Sequence, residues 1–227
     1  MELRRHGNQP SDALSRWLGR HDEDQRGLLA LNVLLLGDRQ SGRSSVGNAL
    51  IGGHEFRTGA VSMTTECRRL SRRFPRCFRR QGAESDLLLS VVDTPPCVPR
   101  PHAVHELCPE GVHVIAVVVR VDLPQENTHL VQHAELLFGP SWRHHAVVVF
   151  THSDRLKEAE LQPAAFLSQA ADWLKALAEE AGGGVWFLDN GCDWPSVRGR
   201  PLREQMIRLS AKNHHRAARV RTDGSVL

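Results

Sequence analysis

LNVLLLGDRQSGRSSVGNALIG, residues Leu31–Gly52, is the stretch from which the rest of the chain is read. A mostly apolar run, Leu31–Leu36, breaks off at Gly37, and Val46, Ala49 and Leu50 then repeat at helical spacing. Strand, glycine-bearing loop and helix form the context in which G-x-x-x-x-G-[KR]-[ST] means a phosphate cradle. Gly37, Gly42 and Ser44 fill that spacing. Backbone N–H groups turned inward, together with the partial positive charge of a helix N-terminus, hold a di- or triphosphate. The expected cradle is Gly37, Asp38, Arg39, Gln40, Ser41, Gly42, Arg43, Ser44 and Ser45. The Ser44 hydroxyl suits a Mg2+ ligand position. At the place of the lysine that reaches the β and γ phosphates stands Arg43.

The strand itself is apolar on both faces, the pattern of a parallel strand covered by helices on each side. Further strands are expected at Leu87–Val92, Val112–Val121, Ala146–Phe150 and Val185–Leu188, with helices at Thr128–Phe138 and Pro163–Ala181 and from Pro201 through Leu209. Pro95–Pro109 reads as loop. This alternation predicts a three-layer α/β domain with a mostly parallel central sheet flanked by helices. It is expected over residues 29–212, after a polar extension at 1–28 and before a polar, basic tail at 213–227 without apolar anchor.

The 227 residues are enough for one such domain, and the formal charge of +3 gives no global signal for nucleic acid or a membrane surface. Arg68–Arg80 carries seven arginines. Two readings stand, an anion-binding patch or an edge strand whose charged face discourages edge-to-edge pairing. Leu70, Phe74 and Phe78 are interleaved, but no cluster of stacking aromatics accompanies the arginines, which favours the edge strand. The five cysteines are odd in number and scattered, which suits reduced thiols in a cytoplasmic protein rather than a disulfide framework or zinc site. No run approaches the ~20 apolar residues of a membrane span. No signal core marks the N-terminus, so no transmembrane anchor is expected.

Two later strand ends carry chemistry. Asp93 closes one strand, where a sheet with a phosphate loop places its second Mg2+-side carboxylate. Thr151, His152, Ser153 and Asp154 close another, at the place where Asn/Thr-Lys-x-Asp reads guanine. An aspartate there accepts hydrogen bonds from N1–H and the exocyclic amine, a donor pair that adenine lacks.

Through these stretches and several others, the chain resembles the immunity-associated nucleotide-binding (IMAP or GIMAP) GTPases, relatives of septins and chloroplast Toc receptors. Gly47-Asn48-Ala49-Leu50-Ile51-Gly52 is similar to the family's G-N-[ST/A]-I-L-G, and Ser62-Met63-Thr64-Thr65-Glu66-Cys67 to its S-V-T-x-x-C switch loop. Cys108-Pro109-Glu110-Gly111-Val112-His113 resembles its C-x-P-G-P-H segment, and Leu137-Phe138-Gly139 and Phe150-Thr151 match its L-F-G and F-T.

The resemblance implies a GTP- or GDP-binding domain using Mg2+, with Thr58 and Thr64 in switch I and Asp93 in switch II. Ser44, Thr64 and Asp93 would serve as metal ligands. Thr151, His152, Ser153 and Asp154 would hold guanine with the help of Asn190. It also implies nucleotide-dependent dimers with related G domains.

Three departures fall on the γ-phosphate side. Arg43 replaces lysine, with a planar fork larger than an ammonium. Pro96 replaces the glycine of D-x-x-G and has no N–H to donate. Leu123-Pro124-Gln125 stands where the family has Arg-aromatic-Thr. The expectation is therefore a guanine-nucleotide-binding protein with hydrolysis weak or lost, at most a slow GTPase, with no catalytic residue assigned. The alternative is a nucleotide-free pseudo-GTPase serving as an interaction scaffold.

Overall fold

The computed structural model describes residues 27–58, 66–80, 82–96, 100–124, 129–191 and 194–222. Thr64 and the rest of the Ser62–Thr65 loop, Gln125, and most of the N-terminal extension fall outside them.

β1 (Gly27–Gly37) leads through the glycine loop into α1 (Arg43–Ile51). β2 (Arg68–Arg80), β3 (Ala83–Asp93) and the short helix α2 (Pro101–Leu107) follow. β4 (Val114–Arg120) and α3 (His129–Phe138) come next, then a 3-10 turn over Pro140–His145 and β5 (Ala146–Thr151). The chain continues through α4 (Asp154–Glu158), α5 (Pro163–Gln169), α6 (Asp172–Glu180) and β6 (Val185–Leu188) to α7 (Pro195–Lys212). The six strands lie in the order β2-β3-β1-β4-β5-β6. β1–β4, β4–β5 and β5–β6 pair in parallel, with Leu35 opposite Ala116 and Val117 opposite Val148.

The described residues fall into two compact units. In the larger one, Ala30–Arg72 with Leu89–Leu227, the parallel strands are buried on both faces, as their apolar sequences require. Phe150, Phe166 and Phe187 stack and meet edge-on at 4.9–6.3 Å beside β5. α1 packs on α7 so closely that a Cβ at Gly199 would run into the Ala49 carbonyl. The C-terminal carbonyls of α1 are held by two arginines. Arg203 reaches Ala49 and Leu50 at 3.0 and 3.1 Å, and Arg72 reaches Ile51 and Gly52 at 3.0 and 3.2 Å. Cations on orphan carbonyls at a helix C-terminus are favourable. Beyond α1, the Asn48 side chain both donates to and accepts from the Phe56 backbone at 2.8 Å. The Phe56 ring lies over Gly47, where a side chain would meet it at 2.8 Å. The G-N dipeptide of the sequence thus fixes the loop that follows the helix.

In the smaller unit, Arg73–Leu88 with the start of β1, Asp86 is 1% exposed. It accepts from the Arg73 guanidinium at 2.7 Å and from the Arg76 backbone N–H at 2.9 Å. β2 is the edge strand of the sheet, and Arg69, Arg72, Arg73 and Arg76 each have partners within the fold. The arginine-rich stretch is thus the edge strand of the two readings, and much of its charge is used internally.

Four expectations are corrected. Pro101–Leu107 is helical, with proline at the helix start, where its missing N–H is not needed. Pro163–Ala181 is two helices rather than one, because Ala170 and Ala171 are extended. The break lets Phe166 join the aromatic cluster while Leu174 and Leu177 enter the same core. The last helix starts at Pro195 and carries Pro201 inside it. Residues beyond His214 are anchored after all: Ala218 exchanges backbone hydrogen bonds with Val112 at 2.8 and 2.9 Å, and Ala218 and Val220 pack on the core.

Candidate functional site

The carboxyl ends of β1, β3, β5 and β6 carry every candidate residue that the structure describes, apart from Thr58, which is exposed on the loop after α1. Open α/β sheets gather ligands at such strand ends.

The phosphate loop is tightly built. Gly37 is buried, and a Cβ there would stand 2.5 Å from Ser41 Oγ and 2.6 Å from the Val118 carbonyl. Gln40 and Gly42 have φ of 60° and 89°. That left-handed geometry reverses the chain before α1 begins with Val46 N–H on the Gly42 carbonyl. Asp38 is half-buried, Arg39 and Gln40 are exposed, and Ser44 and Ser45 lie half-buried in the first turn of the helix. Ser41 is 4% exposed, and its hydroxyl makes no hydrogen bond among the described residues. A buried, unmatched hydroxyl in such a loop is a group waiting for a polar ligand atom.

Arg43 is 7% exposed. Its guanidinium folds back into the loop, donates to the Gly37 carbonyl at 2.5 Å, and lies 3.9 Å from a carboxylate oxygen of Asp93. Asp93, 2% exposed, also accepts from the Ser44 hydroxyl at 2.7 Å. Next to it, Thr94 donates to the Leu35 carbonyl at 2.7 Å and so ties the end of β3 to β1.

Among the described residues no group of three His, Cys, Asp or Glu side chains could hold a metal ion. Ser44 and Asp93 do present an oxygen pair of the kind Mg2+ takes. A divalent ion on that pair would lie against the buried guanidinium of Arg43, so the residues as arranged do not fit it.

At the other corner, Thr151 is fully buried and its hydroxyl donates to the Ser41 carbonyl at 2.6 Å. Thr151 also sits where a Cβ on Gly42 would be, within 2.9–3.1 Å. His152 adopts φ 57°, and its N–H donates to Asn190 Oδ1 at 3.0 Å. Asn190 N–H in turn donates to Asp154 Oδ1 at 3.1 Å, and Ser153 N–H to the Leu188 carbonyl at 3.2 Å. Thr151, His152, Ser153, Asp154 and Asn190 are thus brought together. Burial, then the nearby Arg120 cation, lower the His152 pKa, so its ring is a neutral, half-buried flat surface near pH 7.

Sequence reasoning passed over Arg120 and Asp122. They form a bidentate pair at 2.6 and 2.9 Å off the end of β4. The signal was a lone arginine closing an otherwise apolar strand. Beside the loop lies a cavity of about 390 Å³ whose lining includes Asp38, Arg39, Ser41, Pro96, Arg120 and Trp173.

Six mostly parallel strands with flanking helices and this loop on the first strand–helix turn define a P-loop GTPase fold. The chain belongs to the AIG1 family, whose model matches residues 31–196. It is 25% identical over 195 residues to Immune-associated nucleotide-binding protein 4 of Arabidopsis thaliana, covering 79% of this chain and 57% of that protein. Over 143 residues it is 27% identical to human GTPase IMAP family member 8, covering 58% and 20%. The chain therefore spans between a fifth and just over half of the length of these curated relatives. Among solved structures, Toc33 from Arabidopsis thaliana in complex with GDP and Mg2+ superposes with a TM-score of 0.53 at 17% identity, covering 92% of this chain and 94% of that one. A dimerization-deficient Toc33 mutant gives 0.57 at 17% identity, covering 91% and 93%. The structure reporting that dimerization is important for the GTPase activity of chloroplast translocon components atToc33 and psToc159 gives 0.56 at 19%, covering 87% and 88%.

No described helix is long and apolar enough to cross a membrane.

Proposed function

We propose that this chain binds a guanine nucleotide across the carboxyl ends of β1, β5 and β6, and that it hydrolyses GTP slowly or not at all. The observation that carries the reading is the hydrogen bond from Thr151 to the Ser41 carbonyl. It locks the phosphate loop and the Thr151–Asp154 corner at one spacing, as a ligand with a base at one end and phosphates at the other requires. Asp154 keeps its second oxygen for a donor on the ligand, since the Asn190 bond uses Oδ1. The neutral His152 ring offers a flat face to a base. Weak hydrolysis follows from Pro96, which has no amide for a γ-phosphate, and from Arg43, which fills the place of a more compact lysine.

Several finer points belong to the same reading. The Mg2+ solved with GDP in Toc33 would have Ser44, Asp93 and Thr64 of the switch loop as its ligands here only if the Arg43 guanidinium did not lie in that place. Pairing of two G domains over the nucleotide face is proposed by likeness to atToc33. A cytoplasmic setting rests on the scattered, odd-numbered cysteines.

Calorimetric titration with GDP, GTPγS and, as control, ATP tests the reading. Binding of guanine nucleotides alone is expected, with GDP at least as tight as GTPγS. A second reading, a nucleotide-free scaffold, is favoured by one observation, the Arg43 guanidinium lying inside the cradle. Absence of binding by either guanine nucleotide would overturn the nucleotide reading in its favour.

A further inference from the structure

We propose that Arg43 serves as a built-in substitute for the divalent cation, so that this site takes a guanine nucleoside diphosphate without Mg2+. The inference rests on the nucleotide reading and concerns how the charge in that site is balanced.

The geometry starts at Asp93. Its carboxylate is 2% exposed, and a buried carboxylate needs a cation or several donors. In a P-loop site the residue at this strand end ordinarily answers to Mg2+. Here it answers to the chain itself. Ser44 donates to one oxygen at 2.7 Å, and the Arg43 guanidinium stands 3.9 Å from the other. The guanidinium is anchored at its far side by the Gly37 carbonyl at 2.5 Å, so it bridges the start of the loop and the end of β3.

Three properties make this arrangement hard for Mg2+ to displace. Arginine does not lose its proton at any working pH, so the positive charge never leaves. Mg2+ sheds water reluctantly and needs near-octahedral oxygen ligands at about 2.0–2.1 Å. A divalent ion drawn onto Asp93 would compete for space with a planar guanidinium that is larger than a lysine ammonium. Expelling the guanidinium instead would strip the Gly37 carbonyl of its donor.

The same substitution selects the ligand. A lysine and a divalent cation together bring more positive charge to a phosphate loop than one guanidinium does, and Pro96 adds no amide. A site so built balances the shorter phosphate chain. The unmatched Ser41 hydroxyl and the loop amides supply the remaining donors.

The test is the affinity for GDP of the whole chain, measured by calorimetry in millimolar Mg2+ and again in EDTA. Wild-type affinity should change by less than about threefold between the two. Arg43→Lys should acquire a Mg2+ dependence of about tenfold or more, equivalent to roughly 1.4 kcal/mol. A wild-type affinity that falls tenfold in EDTA would overturn the substitution while leaving guanine-nucleotide binding intact. Wild type that binds GDP in neither condition would overturn both. An Arg43→Lys protein that folds, judged by its thermal transition, and binds equally with and without Mg2+ would remove Arg43 as the cause. If Arg43→Lys does not fold, the wild-type pair of titrations still decides.

Discussion

At the Thr151–Asn190 corner His152, Asp154 and Asn190 are half-buried, and they are joined by backbone-to-side-chain bonds that leave outward groups available: Asp154 Oδ2, the His152 ring face, and Asn190 Nδ2. At the Gly37–Asp93 corner Arg43 and Asp93 are almost fully buried and turned on one another. One corner is an open frame that a ligand would complete. The other has already completed itself with a residue of the chain. Both stand at strand ends of the same sheet, so the difference comes from the side chains there rather than from the architecture.

Removing the arginine should separate the two corners most sharply. In Arg43→Ala, the buried Asp93 carboxylate loses the guanidinium 3.9 Å away, and unfolding free energy should fall by about 3–5 kcal/mol. Asp154→Ala should cost about 1 kcal/mol or less, because that group is half-buried and water reaches it. Denaturant titration of the two variants checks this. Equal losses would mean that Arg43 is no more integral to the fold than Asp154.

Asp154→Asn addresses the open corner directly. The amide presents N–H donors where guanine also presents donors, so affinity for GDP should drop about 100-fold, or roughly 2.7 kcal/mol, with little effect on the melting temperature. Unchanged GDP affinity would move base recognition away from Asp154.

Thr151→Val probes the bond between the corners. The hydroxyl is fully buried and its loss leaves the Ser41 carbonyl without that donor, so stability should fall by about 1–3 kcal/mol. Nucleotide affinity should fall with it, since the loop would no longer be held at one distance from Asp154. A stability loss with unaltered affinity would show that the bond serves the fold only.

Much of this was legible in the chain. Apolar runs such as Leu31–Leu36 and Ala146–Phe150 encode strands locally, and the spacing of Gly37, Gly42 and Ser44 encodes the loop after the first of them. What the sequence hid was decided by distant partners. No glycine or proline marks the break at Ala170–Ala171; the demand of Phe166 and Leu174 for one core sets it. Pro201 looks like a helix start only until Gly199 and Arg203 are seen against α1. Arg72 and Arg203 cap the same helix from remote positions, a pairing no window of sequence contains. The sequence exposed the substitution at Arg43, but the direction of its guanidinium depends on Asp93, on a different strand.

The smallest expected effect lies at the amino end of β4, away from both corners, and it bears on whether acid acts on the site or on the scaffold. His113 is 9% exposed, and its Nδ1 accepts from the Asn32 backbone N–H at 3.0 Å, so the neutral ring carries its proton on Nε2. Burial pushes its pKa down, with His145 and His215 adding to the effect and Glu110 opposing it. Burial lowers His145 as well, and also His152 at the open corner. A histidine whose folded pKa lies below its ordinary 6.5 binds fewer protons folded than unfolded. Stability should therefore rise with pH up to about that value and level off above it. The melting temperature should be lower at about pH 5.5 than at 7.5. His113→Asn keeps an acceptor toward the Asn32 N–H without a titrating group, and it should flatten the slope while leaving GDP affinity unchanged. If the slope survives in His113→Asn and GDP affinity follows it, the titrating group belongs to the open corner, and His152 becomes the residue to vary.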